Sequence, residues 1–275
     1  MKILRETDLA TVSGAILALG GVFFGLRLEG IHLYDMGQLT AALVVFCGTA
    51  GAVLISMPWR QTQQALKVLP SMFLGSSERD SEVIDRVIEY ARVARQGGLL
   101  SLEQKVEFLE DLFFRKAMRL VVDAVGVEVM ETVLESDVSG FKTQSESAAV
   151  FYETAAGYAP TLGMAGAAIG LIQVMKHLEH IDQVGIGVAA AFVATIYGVL
   201  LANLFLLPVA TKIRARAEYR VHICGLIREG ALSIAAGLNP SVIRLKLEAL
   251  AQISEQTAVR PAAATKRKTL SVTAQ

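Results

Sequence analysis

The sequence predicts an all-α polytopic membrane protein, with four transmembrane helices and a cytoplasmic helical domain between the second and the third. Three observations predict it. Apolar residues make up 53% of the 275 residues and mean hydropathy is +0.48, so the chain is too apolar for an ordinary soluble domain. Those apolar residues fall into blocks that flank one strongly charged stretch, from Arg60 to about Ser147. No run alternates with the period of two that a strand requires, whereas the charged stretch repeats its apolar residues at helical spacing. The formal net charge of +0 follows from this segregation and says nothing about partners. The only dense basic run, Lys266-Arg267-Lys268, lies in a tail, which argues against nucleic acid.

Lys2 and Arg5 precede the first apolar run, Leu9 to Leu26. A signal peptide also starts with basic residues, but its apolar region covers ~7–15 residues and ends in a small-residue cleavage site. This run is longer and lacks that exit, so it is read as a retained helix. The second run, Leu39 to Met57, closes with Pro58 and an interfacial Trp59, where a belt aromatic belongs. Together these form a first segment, 1–58.

The segment 59–150 is read as the cytoplasmic helical domain. Val83, Val87, Ala91 and Ala94, then Leu102, Val106, Leu109, Phe113 and Met118, mark amphipathic helices. Gly75-Ser-Ser and Gly97-Gly98 break them, and Ser101-x-x-Gln104 has the spacing of a capping box. The segment 151–211 holds two more apolar runs, Thr154 to Met175 and Val184 to Thr211, neither with an Asp, Glu, Lys or Arg. Each exceeds the ~20 residues that cross a ~30 Å hydrocarbon core. Gly166-x-x-x-Gly170 and Gly198-x-x-x-Ala202 are spacings at which helix backbones approach closely, so this pair is read as the pore-lining core. From Lys212 a basic amphipathic helix runs to Gly237, and Asn239-Pro240-Ser241 caps another, completing 212–257. The remainder, 258–275, has no apolar period and reads as a disordered tail.

Basic residues at the span ends set the orientation. Lys2, Arg5, Arg60, Lys67, Lys212, Arg214, Arg216 and Arg220 outweigh Arg27 and Lys176 of the two short links. Both termini and the charged domain are therefore expected in the cytoplasm, with the two short links on the other side of the membrane.

No catalytic constellation is present: there is no phosphate loop and no H-E-x-x-H. Gly163, Gly166 and Gly170 lie inside an apolar span, which is the wrong context for a dinucleotide turn. His177 and His180 beside Glu179 and Asp182 could hold a metal weakly, but a solvated face at the membrane edge is the favoured reading, so no metal or cofactor is expected. Cys47 and Cys224 read as unpaired thiols. The spans offer hydroxyls (Thr49, Thr161, Thr195, Tyr197) and Asn203 but no group that takes up a proton near neutral pH. A passive scaffold and a pocket completed by a partner's carboxylate both fit, and the Gly/Ala-rich pair favours the pocket.

Five segments in order resemble the MotA/PomA family, the membrane subunit of the ion-driven flagellar stator. They are Asp8 to Thr11, Phe46 to Pro58, Gly97 to Glu103, Ala156 to Met175 and Val188 to Ile213. The resemblance implies a homopentamer around a dimer of a MotB-like partner, whose membrane helix carries the proton-binding aspartate, and a cytoplasmic domain that pushes the rotor protein FliG. By position, Pro160 and Pro208 match the family's mechanically coupling prolines, Arg95 and Glu103 its rotor-contacting charges, and Ala167 and Thr195 its ion-pathway positions. Many members carry an acid three residues before the first proline, where this chain has Gly157, so that acid's role does not transfer.

Sodium-driven relatives place hydroxyls at both pore positions. A hard cation needs several oxygen ligands, whereas a proton needs a carboxylate and a hydrogen-bonded path. Ala167 offers no side-chain oxygen, so the proton is the expected ion. The alternative is a TolQ/ExbB-like or other non-flagellar energy transducer; four spans and the Leu100-to-Glu103 turn favour the stator over that three-span pattern.

Overall fold

The structure, a computed structural model, describes residues 9–30, 36–70, 78–176 and 181–259. Every element among them is helical. In chain order they are α1 (Leu9–Leu28), α2 (Leu39–Ser56, π-helical over Leu43–Cys47), α3 (Trp59–Val68), α4 (Asp80–Gly97), a 3₁₀ turn (Leu99–Leu102), α5 (Glu103–Glu107), α6 (Leu112–Val122), α7 (Val127–Lys176) and α8 (Ile181–Leu200). A π-helical segment, Leu201–Leu206, leads from α8 into α9 (Leu207–Ala235), and α10 (Pro240–Val259) follows. The chain divides into two compact units, Met1–Ser77 with Thr143–Ala217 and Glu78–Lys142 with Glu218–Gln275. His177, His180, the Gly75-Ser-Ser break, Lys2, Arg5 and most of the expected tail lie outside the described residues.

The protein is a multi-pass membrane protein with a large charged helical insertion, but the count of spans differs from the expected four. Among the described residues, three helices are long and apolar enough to cross a membrane: Leu39–Ser56, Val127–Lys176 and Gly187–Ala235. The expected first span corresponds to α1, whose apolar stretch Val12–Leu28 is not among those three. Among the described residues, a methyl group at Gly14, Gly20, Gly21 or Gly25 of α1 would meet no atom within 4 Å.

Two apolar spans also extend further than hydropathy alone suggests. α7 is one helix of 50 residues that begins in the charged insertion and ends in the apolar run. The basic helix expected to start at Lys212 is the uninterrupted continuation of Leu207 to Ala235. The reason is local. Neither transition contains a glycine in left-handed conformation or a proline that stops the helix, so the backbone continues while its surroundings change.

In the membrane unit, α2 and α3 lie against α7, α8 and the start of α9. Tyr152 on α7 donates to the Ala65 carbonyl on α3 (3.0 Å) within a buried cluster of Ala148, Ala149, Ala210 and Ile213. Arg214 on α9 forks across Glu146 (Nη2 to Oε1, 2.6 Å) and Glu153, both on α7. Cys47 and Cys224 are both free.

The charged unit is built on a core of Val83, Val87, Leu102, Phe114, Met118, Met130, Leu134, Ile227 and Leu247. α4 ends where the periodicity predicts, at Gly98, whose φ of +78° is cheap only for glycine. The capping box expected at Ser101 does not form. Ser101 lies in the 3₁₀ turn, and its hydroxyl donates to the Gly98 carbonyl (2.6 Å) instead of accepting from a helix N–H. A short hydroxyl side chain bonds the nearest unpaired backbone group, and here the preceding turn offers a carbonyl. Asn239 does cap α10, accepting from the Ser241 N–H (3.2 Å), with Pro240 at the first helical position. α9 ends in a Schellman turn at Gly237, with Leu238 N–H on the Ser233 carbonyl and Gly237 N–H on Ile234.

α6 ends in the same motif with the wrong residue for it. Val125 N–H bonds the Leu120 carbonyl and Ala124 N–H bonds Val121, which forces Ala124 to a φ of +51°. Left-handed backbone costs a residue with a Cβ about 1–2 kcal/mol. Ala124→Gly is therefore expected to stabilise this unit by about 1 kcal/mol, after allowance for glycine's extra entropy in the unfolded chain. A urea titration of the purified protein checks it; an unchanged or lower midpoint shows that the turn is relaxed.

Candidate functional site

The candidate site is the antiparallel pair of α7 with α8 and its π-helical extension, because there backbone meets backbone and the two apolar runs carry no Asp, Glu, Lys or Arg. Its closeness is written in small residues. A methyl group added at Gly163 would lie 2.9 Å from the Ala194 carbonyl oxygen and 3.3 Å from the Thr195 Cα. At Gly166 it would meet the Ala194 Cβ at 2.9 Å, and at Gly170 the backbone nitrogen of Ala191 at 3.0 Å. On the other helix, a methyl at Gly198 would be 2.5 Å from the Ala159 carbonyl oxygen and 3.1 Å from the Pro160 Cα. No aliphatic side chain fits any of these positions without moving a helix.

Pro160 lies inside α7, seated against Gly198. Having no N–H, it leaves the Ala156 carbonyl without the donor a regular helix supplies, and its ring crowds that carbonyl. Pro208 is exposed, just beyond the π-helical segment Leu201–Leu206. The two belong together physically. In an α-helix the Pro208 ring would press on the carbonyl four residues back, and a turn widened to five-residue bonds moves that carbonyl aside. Leu207 N–H accordingly bonds Ala202, five residues back.

Thr195 and Ala167 are each half-buried on the facing helices, and the Thr195 backbone lies against Gly163. The Thr195 hydroxyl makes only a long bond, 3.5 Å, to the Ala191 carbonyl of its own helix, which leaves it weakly committed. A cavity of about 440 Å³ opens between α2, α7 and α8, lined by Gln38, Thr40, Val44, Gly166, Gln173 and Gly187. Neither Ala167 nor Thr195 lines it.

Two polar features of this unit carry no signal in spacing. The Tyr158 hydroxyl meets the Ser56 hydroxyl (2.9 Å), which itself donates to the Ala52 carbonyl (2.7 Å), so α2 is tied to α7 two residues before Pro160. The Asn203 amide Nδ2 donates to the Val199 carbonyl (2.9 Å) at the entrance of the π-helical segment. No group of three or more His, Cys, Asp or Glu that could hold a metal ion occurs among the described residues.

In the charged unit, Arg95 ends α4 and Glu103 begins α5, on either side of the Gly98 turn, and both are exposed. Other charges of this unit are paired: Glu89 with Lys105 (2.9 Å), Asp85 with Arg244 (2.7 Å) and Glu78 with Arg86 (2.8 Å). Arg95 and Glu103 take part in no ion pair among the described residues.

Comparison with known proteins agrees with this arrangement. Residues 105–224 match the family described as the MotA/TolQ/ExbB proton channel family. Motility protein A of Bacillus subtilis (strain 168) is 30% identical over 241 residues, covering 87% of this chain and 89% of that one. The solved structure of MotAB from C. jejuni superposes with a TM-score of 0.83 at 30% identity, covering 88% of this chain and 95% of that one. The flagellar MotAB stator complex from Bacillus subtilis gives 0.79 at 30% identity, covering 88% and 94%. The chain belongs to the MotA/PomA family of flagellar stator subunits, within the MotA/TolQ/ExbB proton-channel superfamily.

Proposed function

We propose that this chain is the membrane subunit of a proton-driven flagellar stator, a channel and motor component rather than an enzyme. The observation that carries this reading is a tightly packed helix pair with no Asp, Glu, His, Lys or Arg between Thr154 and Met175 or between Val184 and Thr211. Such a pair cannot pass protons alone, because proton relay at membrane depth needs a titratable group. A MotB-like subunit supplies the carboxylate, and five copies of this chain surround a dimer of that partner. Thr195 holds the carboxylate or an adjacent water, and Ala167 leaves the site one oxygen short of what sodium needs. α1 crosses the membrane as a fourth span: its 20 residues, at ~1.5 Å each, reach ~30 Å. Both termini and the charged insertion face the cytoplasm, as the excess of Lys and Arg at those span ends directs.

Pro160 and Pro208 couple the ion step to movement, and Arg95 and Glu103 contact the rotor protein FliG. What supports the rotor assignment is that these two charges are exposed on either side of the Gly98 turn and take part in no ion pair among the described residues. The double reversal Arg95→Glu with Glu103→Lys is expected to abolish most torque while membrane insertion and assembly stay normal, since exposed charges contribute little to folding but much to complementary contacts. Swimming at normal speed by the double reversal would remove both residues from the contact.

Ion identity has its own test. In a stator-less strain co-expressing this chain with its partner, rotation is expected to be indifferent to external sodium at fixed pH and to stop on adding a protonophore. Rotation that follows sodium and survives collapse of the proton gradient overturns the assignment of Ala167.

A further inference from the structure

Two helix irregularities in the membrane unit face each other. On α7, Pro160 interrupts the ladder; opposite it, the π-helical segment Leu201–Leu206 interrupts the other helix. They meet through buried alanines: Ala156 and Ala159, the turn before Pro160, pack on Ala202 within the π-helical segment, with Leu201 and Leu206 against the same cluster. Gly198 completes the contact under the Ala159 carbonyl. A helix with a proline bends easily, and a π-helical turn can revert to α by sliding one residue, which would rotate everything after it. The seat of Ala202 against Ala159 therefore depends on the π-helical turn being held.

Asn203 is the one polar side chain in the run Leu200 to Leu206. An amide there is a poorer helix former than leucine and is disfavoured by hydrocarbon. What it supplies in return is a second donor on the Val199 carbonyl, in the turn that enters the π-helical segment. We propose that Asn203 is a positioning residue for torque generation: its bond to Val199 holds the π-helical turn in the register that seats Ala202 on Ala159, and so sets the bend at Pro160. The inference rests on the stator reading. Asn203 acts through Pro160 and touches neither the ion pathway nor the rotor contact.

The test is a bead assay on single motors in a stator-less strain, with the full chain and its partner co-expressed. The height of each speed step reports torque per stator unit, and the number of steps reports how many units assemble. Asn203→Leu, similar in size but without a donor, is expected to lower the step height about threefold with a normal number of steps, the factor that a hydrogen bond of average strength carries within a membrane protein. Asn203→Thr, whose hydroxyl can reach the carbonyl four residues back, is expected to keep most of the height. Unchanged height in the leucine variant overturns the proposal. So does a loss of step number alone, which is a purely structural effect, or a threonine variant as weak as leucine. If the unaltered chain gives no steps at all, it is the stator reading that fails, and the two failures are thereby told apart.

Discussion

Gly198→Leu is expected to eliminate torque, and Gly198→Ala to reduce it severely. The reason is geometric. The first carbon of any side chain at this position would sit 2.5 Å from the Ala159 carbonyl oxygen and 3.1 Å from the Pro160 Cα. Backbone atoms cannot rotate away as a side chain does, so relief requires the helices to separate or α7 to bend differently at Pro160. Overpacking of this kind costs about 1–3 kcal/mol even where side chains can yield. Helices in lipid are held largely by close packing, so this loss is not recovered by burying the added apolar surface. Quantifying the complex in membranes beside swimming speed separates the two consequences. A Gly198→Leu strain that swims normally would show that α7 and α8 stand further apart than described.

The second large effect is expected at Asp111, which caps α6 and binds Arg220 at once. Its Oδ1 accepts from Phe113 N–H (2.8 Å) and Phe114 N–H (3.1 Å), and Arg220 clasps both carboxylate oxygens at 2.9 and 2.7 Å. Burial pushes the Asp111 carboxyl up, but the Arg220 hydrogen bond and charge, together with the two N–H groups, outweigh it and hold the group below the ordinary carboxylate range. Asp111→Ala leaves a half-buried guanidinium and two helix donors unmatched, and should destabilise the charged unit by about 2–4 kcal/mol. The pH dependence follows from the lowered value. The contribution is complete above the unfolded carboxylate range near ~4 and is lost as pH falls through the folded value. Urea midpoints of the unaltered protein and of Asp111→Asn should thus converge in acid and diverge at neutral pH; parallel curves would mean that the pair is screened by solvent.

Much of this was legible in the sequence, and the exceptions have physical causes. The close-packed pair announced itself through Gly166, Gly170 and Gly198, because small residues in an unbroken apolar run serve little purpose unless another backbone is near. Gly98, Gly237 and Asn239 marked their turns because left-handed backbone and helix caps depend on one residue and its neighbours. The Ser101 motif misled since its spacing is equally compatible with a 3₁₀ turn, and only the orientation of the hydroxyl tells them apart. α7 misled in another way: hydropathy changes along it, yet a helix ladder registers hydrogen bonds and not polarity. The π-helical segment was invisible, because it arises from the fit of the Pro208 ring against its own helix and of Ala202 against Ala159. Asn203 was visible as a polar residue in a span, but its bond to Val199 was not.

The tie between α2 and α8 also bears on biosynthesis. The Tyr197 hydroxyl donates to the Met36 carbonyl, 161 residues earlier in the chain, and Ala41 packs with Val193 and Ala194. When α2 leaves the ribosome, none of those partners exists yet. It must therefore enter the bilayer and wait there without them, which its mean hydropathy of 2.1 and its lack of charge allow. The glycine-rich pair emerges last and consecutively, so its two halves can find each other as they insert. The final assembly of the membrane unit therefore waits for Tyr197, when a long-resident helix receives a late-arriving pair. Truncations that end before Tyr197 should leave α2 inserted but without a stable place to dock.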